Sequence, residues 1–181
     1  MQMGEKFGCA TTRFVNDTWE ENQKWCAKHK YKCAYSSSSP MAASLDDIPY
    51  IYIIEMNNDT NTIEGIGLVP NKSYANNRVY KNPLLNLFTY KSNCKMRRDE
   101  FIERNEIETL ELLTKLIFKG YCHFKRGSGY TILPNKITYK SGQLTKKKAD
   151  SPGRTVEIYE INWSQFFTKA FRRHFGEKLN I

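Results

Sequence analysis

No apolar run in this chain approaches the roughly 18 residues needed to span a bilayer. Its opening, MQMGEKFGCATTRF, lacks the apolar centre of a secretory signal. Together these absences lead to the expectation of an intracellular protein with no membrane partner. Paired cysteines are missing too: Cys9, Cys26, Cys33, Cys94 and Cys122 are odd in number and include no CxxC pair, and His29, His123 and His174 are scattered. Zinc sites need closely spaced thiolates and imidazoles, so no metal is expected. The nearest approach, Cys26, His29 and Cys33, reads as partly buried free thiols on and after a helix. No G-x4-G-K-[ST] spacing occurs, which removes the support for P-loop nucleotide hydrolysis. Asp46, Asp47, Glu55, Asp99 and Glu100 are available carboxylates, but no two stand at a diagnostic spacing, and His123 and His174 have no visible partners. The chain therefore reads as non-catalytic, with no cofactor.

What is present is an excess of positive charge. The 28 basic residues against 19 acidic give a net charge of +9. Such an excess favours a polyanionic partner, because each neutralised phosphate releases counterions. A hydrophobic content of 40% and an aromatic content of 13% over 181 residues describe a globular chain, read as one domain over 1–181.

The stretch IPYIYIIEMNNDTNTIEGIGLVPN anchors the fold. Residues 50–56 are aromatic and β-branched and follow a proline, the signature of a buried strand. Asn57 to Asn61 is turn chemistry, residues 62–69 form a second strand, and Pro70 stops it. Gly65 and Gly67, two apart, lie on one face of that strand. With no side chains there, a helix, a ring or a ligand can come close to the backbone.

Elsewhere, residues 8–15 read as a strand. Asn16 or Asp17 caps a helix running to about Lys30, with Glu20 completing a capping box. Trp19, Gln23, Cys26 and Ala27 form its apolar stripe. Residues 31–35 and 84–90 read as strands, 78–80 as a short strand and 97–104 as a helical turn. Ile107, Leu110, Leu113, Leu116 and Ile117 recur at helical spacing over 106–119, ended by Gly120. Residues 140–154 form a mobile basic loop. A last strand covers 155–161, and a last helix, capped by Ser164, carries Phe167, Ala170, Phe171 and His174 on one face. Arg172 and Arg173 suit its dipole. The fold class is α+β: a mixed or mostly antiparallel sheet, or a small barrel, with about three flanking helices.

Three groups of residues carry the binding expectation. Lys125 and Arg126 with Gly127, Ser128 and Gly129 can cradle a phosphate, the glycines admitting an anion to the backbone N–H groups. Tyr35, Tyr52, Phe88 and Tyr90 can supply aromatic walls, and a base stacked on such a ring gains roughly 1–3 kcal/mol. Lys146, Lys147 and Lys148 can track a phosphate backbone. Each has a plainer reading, respectively a glycine turn, core rings and a solvated loop.

The hairpin, the later FTYKSNCKMRRDEF and the segment HFKRGSGYTILP resemble a group of uncharacterised proteins of giant nucleocytoplasmic DNA viruses, over roughly residues 31–137. That resemblance implies a viral protein of the host cytoplasm (the viral factory) or of the virion. The strand pattern around residues 62–69 is more loosely similar to PUA-like barrels of the EVE and YTH types, which implies RNA or modified-base recognition in an aromatic pocket. The leading expectation is a nucleic-acid-binding module reading RNA, or a modified base or end. Two alternatives stand beside it: a virion structural or assembly protein with viral protein partners, and an enzyme of nucleic-acid metabolism using Glu55 or Asp99.

Overall fold

The computed structural model describes residues 7–127, 129–140 and 156–176. In chain order the elements are β1 (Phe7–Phe14), α1 (Asn16–His29), β2 (Cys33–Ser37), β3 (Tyr50–Asn57), β4 (Thr62–Pro70), β5 (Phe88–Ser92), β6 (Lys95–Arg97), α2 (Arg104–Phe118), β7 (Thr131–Ile132), β8 (Lys136–Lys140), β9 (Val156–Glu160) and α3 (Trp163–Phe175). Five strands form an open mixed sheet in the order β6-β4-β3-β1-β7. The fold is therefore α+β, and among the described residues no sheet closes into a barrel. Two ribbons, β2 with β5 and β8 with β9, lie outside that sheet.

β3 is the central strand. It runs parallel to β1 from the pair Phe7 and Tyr50 to the pair Phe14 and Asn57, and antiparallel to β4 on its other side. Both its faces are covered, which is why it reads as an almost continuous apolar run rather than an alternation. Tyr52, Ile54 and Met56 face α2 and α3 in one core that also holds Leu113, Ile117, Trp163, Phe167 and Phe171. Ile51 and Ile53 face the opposite way, into a second core with α1 and the β2–β5 ribbon: Trp25, Cys26, Tyr35, Tyr80 and Tyr90. The next residue on that second face is Glu55. The parallel step from β1 to β3 is made through α1 and β2, as a crossover must be.

Local chemistry shifts several elements from their expected places. α1 starts at Asn16 because Val15 is its cap, with the Thr18 hydroxyl accepting from the Val15 N–H at 3.0 Å. Its buried residues are Asn22, Trp25 and Cys26 instead of the stripe through Trp19, Gln23 and Ala27. Residues 84–90 are not one strand. The Asn82 side chain accepts from the Leu84 N–H, Pro83 opens a short 3₁₀ turn, and β5 begins only at Phe88. Leu84 and Leu87 are consequently exposed, at 66% and 52%. Residues 78–80 are not in a strand; the pairing there is made by Tyr74 with Thr89. Asn162, not Ser164, caps α3, and His174 is exposed. Arg173 is held by Glu106 on α2 through two 2.8 Å contacts, a specific tie beyond its place near the helix end. No helix among the described residues is long and apolar enough to cross a membrane.

Candidate functional site

Gly65 stands beside Glu55 across the β3–β4 pair, and Gly67 beside Ile53. Their bare backbone is filled by polar groups from elsewhere in the chain. A Cβ on Gly67 would overlap the Tyr35 hydroxyl and come within 2.8 Å of the Cys33 sulfur. One on Gly65 would come within 2.7 Å of the Met96 carbonyl and 3.0 Å of Glu55 Oε2. The close approach thus admits the Tyr35 ring from β2. Its hydroxyl donates to Glu55 Oε1 at 2.8 Å. The Lys95 ammonium, from edge strand β6, lies 2.8 Å from Glu55 Oε2. The Glu55 side chain is 0% exposed and that of Lys95 7%.

Burial raises the Glu55 carboxyl above its usual value; the Lys95 charge and the Tyr35 hydrogen bond pull the other way. Burial also holds the Tyr35 hydroxyl well above the ordinary phenol range and pushes the Cys26 thiol up to about 11. A buried carboxyl with a raised pKa and a specific cationic partner is a combination common at functional sites. Above it lies a cleft of about 490 Å³ lined by Trp19, Gln23, Glu64, Lys95 and the rim of Arg97, Arg98 and Asp99. Trp19 is half-buried and fixed edge-on against Phe14, with ring centroids 5.1 Å apart. The Lys95 ammonium sits over its face, 4.9 Å from the centroid.

A second polar region lies where α1 ends. Helix α1 closes with Lys30 in the left-handed conformation (φ 59°), and the Tyr31 N–H returns to the Cys26 carbonyl at 3.0 Å. This wraps Tyr31 onto Trp25, which also stacks on His29 at 4.3 Å. Lys91 on β5 reaches into the group. Its ammonium is 4.6 Å from the Tyr31 centroid, 5.0 Å from Tyr74 and 5.9 Å from Trp25. Lys72 lies over the outer part of Tyr74. Lys28, Lys30, Lys32 and Lys72 are exposed. Among the described residues none of these lysines, nor Lys91, has a carboxylate partner. Positive charge and aromatic rings therefore meet on one face without internal neutralisation.

The residues expected to bind are placed as follows. Tyr35 and Tyr90 are cross-strand partners on the β2–β5 ribbon, both buried, with Phe88 at its end packed against the same core. Tyr52 is buried on the opposite side of the sheet, against Phe167 and Phe171, so the four rings form no single wall. The Lys125–Gly129 loop is held at the far end of the sheet, near the start of α1. Arg13 donates to the carbonyls of Phe124 (3.1 Å) and Gly129 (2.9 Å), Asn58 to that of Lys125, and the Lys125 ammonium to Asn61 at 2.7 Å. Gly127 and Gly129 take positive φ, as the turn requires. Arg126 is exposed. Ser128, Lys146, Lys147 and Lys148, with the basic loop from 141 on, lie outside the described residues. Asp99 is exposed and paired with Arg97 at 2.9 Å. Among the described residues no three His, Cys, Asp or Glu side chains converge to hold a metal.

Glu55 was singled out from the sequence, whereas Lys95 and the grouping of Lys91 with Trp25, Tyr31 and Tyr74 were not. The available signal was the interleaving of rings and lysines in WCAKHKYK, residues 25–32. Compared with family models, curated proteins and solved structures, the chain has no match.

Proposed function

We propose that this protein binds nucleic acid, and that the face at the end of α1 is where the strand lies. The observation that carries the reading is the Lys91 ammonium set among Trp25, Tyr31 and Tyr74 on a face whose other lysines have no carboxylate partner among the described residues. Unneutralised lysines contact phosphates, and partly exposed rings such as Tyr31 and Tyr74 offer stacking faces beside them. Lys30 adds weight. A lysine in left-handed backbone costs about 1 kcal/mol relative to glycine, so this position keeps a lysine where the backbone favours glycine. In the viral group that the hairpin resembles, such a module would act in the viral factory or the virion.

The test is fluorescence-anisotropy binding of short single-stranded RNA, single-stranded DNA and duplex DNA. Wild type is compared with Lys28→Ala/Lys32→Ala/Lys72→Ala and, separately, with Lys125→Ala/Arg126→Ala. Affinity falls in the first variant if the strand follows this face, and in the second if it follows the glycine loop. A second reading, assembly with another protein, draws on Val156 and Ile158, which project from β9 at 56% and 61% exposure. Failure of all three nucleic acids to bind at about 150 mM salt, the regime in which nonspecific phosphate contacts weaken, would favour it.

A further inference from the structure

The cleft above Glu55 contains a cation that the basic face does not use. Lys95 is more than nine-tenths buried and lines the cleft, its ammonium paired with Glu55 Oε2 at 2.8 Å and set over the Trp19 ring. An ammonium carries three donors and no acceptor. One side of it meets Glu55, which leaves donors for an acceptor brought by a ligand.

Charge and shape narrow what that ligand is. Lys95, Arg97 and Arg98 face as many carboxyl groups, those of Glu64, Asp99 and, beneath them, Glu55. Arg97 is already engaged by Asp99, and Glu64 by Asn57 and Thr62. A cleft whose cations face as many carboxyl groups does not select a phosphate. It suits a neutral ring with a hydrogen-bonding edge, and its volume of about 490 Å³ lies in the range of small-ligand sites. Trp19, locked by Phe14, supplies the stacking plane. Because the Lys95 ammonium stands over part of the indole face, a ring laid on the remainder lies in the ammonium's own layer and meets it edge-on. The edge presented must carry an acceptor.

We infer that the cleft between α1 and β6 takes one unstacked nucleobase, laid on Trp19 with an exocyclic carbonyl, O4 of uracil or O6 of guanine, accepting from Lys95. Adenine is disfavoured because its exocyclic amine brings a donor to a donor. The Gln23 amide, which lines the same cleft, offers a donor and an acceptor for the rest of the edge. This inference rests on the nucleic-acid reading above and adds a base preference to it.

The experiment compares oligo(U), oligo(A) and an oligonucleotide of the pyrimidinone analogue that lacks the O4 carbonyl, at constant length and salt. The variants are Trp19→Ala and Lys95→Met/Glu55→Gln, the latter removing both buried charges so that neither is left unpaired. Oligo(U) is expected to bind about 10-fold more tightly than the other two, the scale of one good polar base contact. That preference should disappear in both variants. The carbonyl-free analogue needs no variant, so the test holds even if Lys95→Met/Glu55→Gln fails to fold. Equal binding of the three strands by wild type overturns the base pocket and leaves the basic face standing. Absence of any binding overturns both.

Discussion

Replacing Gly67 by alanine tests how the buried charge is held. The added Cβ would overlap the Tyr35 hydroxyl and come within 2.9 Å of its Cζ and 2.8 Å of the Cys33 sulfur. Tyr35 is 0% exposed, so its ring has nowhere free to go. Overpacking of this kind costs about 1–3 kcal/mol. Driving the hydroxyl from Glu55 removes a hydrogen bond to a buried carboxyl, worth a further 1.5–3 kcal/mol or so. The sum, about 2.5–6 kcal/mol, is a large share of the roughly 5–15 kcal/mol that holds a domain folded. Urea denaturation of Gly67→Ala, Tyr35→Phe and the double variant measures it. The two changes act on the same hydroxyl, so the double variant should be more stable than additivity predicts by at least about 1 kcal/mol. A loss below about 1 kcal/mol in Gly67→Ala, or strict additivity in the cycle, would show that Tyr35 does not depend on the bare backbone.

Three further outcomes follow from the same geometry. The Glu55 carboxyl is raised above its usual value near 4.5, so the folded state keeps a proton that the unfolded chain has already released. Its contribution is present at low pH and lost as pH rises from about 4.5 through the folded value. The stability of wild type relative to Glu55→Gln should therefore decline over that window, and a difference independent of pH would count against the burial. Lys30→Gly relieves the left-handed backbone and should stabilise the fold by about 1 kcal/mol while weakening nucleic-acid binding; a destabilised variant contradicts the cap. Burial pushes the Cys9 thiol up to about 12 and that of Cys94 up to about 11, while Cys122 is exposed. Alkylation of the native protein followed by mass spectrometry should label Cys122 first and Cys9, Cys26 and Cys33 only on unfolding.

The hairpin was legible because everything that makes it is local: a β-branched run, an asparagine turn and a terminal proline. The paired glycines announced a close approach, and a ring does fill it. Which ring could not be read, since Tyr35 comes from β2, Glu55 from β3 and Lys95 from β6. Sheet order brings β3 and β6 close, and packing of the β2–β5 ribbon on the sheet adds β2; spacing along the chain encodes neither. The same limit hid Lys91, whose three rings come from α1, the turn after it and the segment before β5. Residues 84–90 misled for a different reason. Their alternation was that of a strand, but Asn82 and Pro83 turn the backbone first, and side-chain capping prevailed over pattern. In the glycine loop the sequence showed basic residues available for a ligand; Arg13, which donates to two of the loop's carbonyls, is more than a hundred residues away in the chain.

If the exposed lysines at the end of α1 meet phosphates, binding must weaken with salt in proportion to their number. The logarithm of affinity for single-stranded RNA, plotted against that of salt concentration, falls with a slope of about −0.7 per phosphate contact. Lys28→Ala/Lys32→Ala/Lys72→Ala should make that slope shallower by roughly 2, with the fold intact by circular dichroism. An unchanged slope in this variant, or no binding by wild type at any salt, contradicts the account.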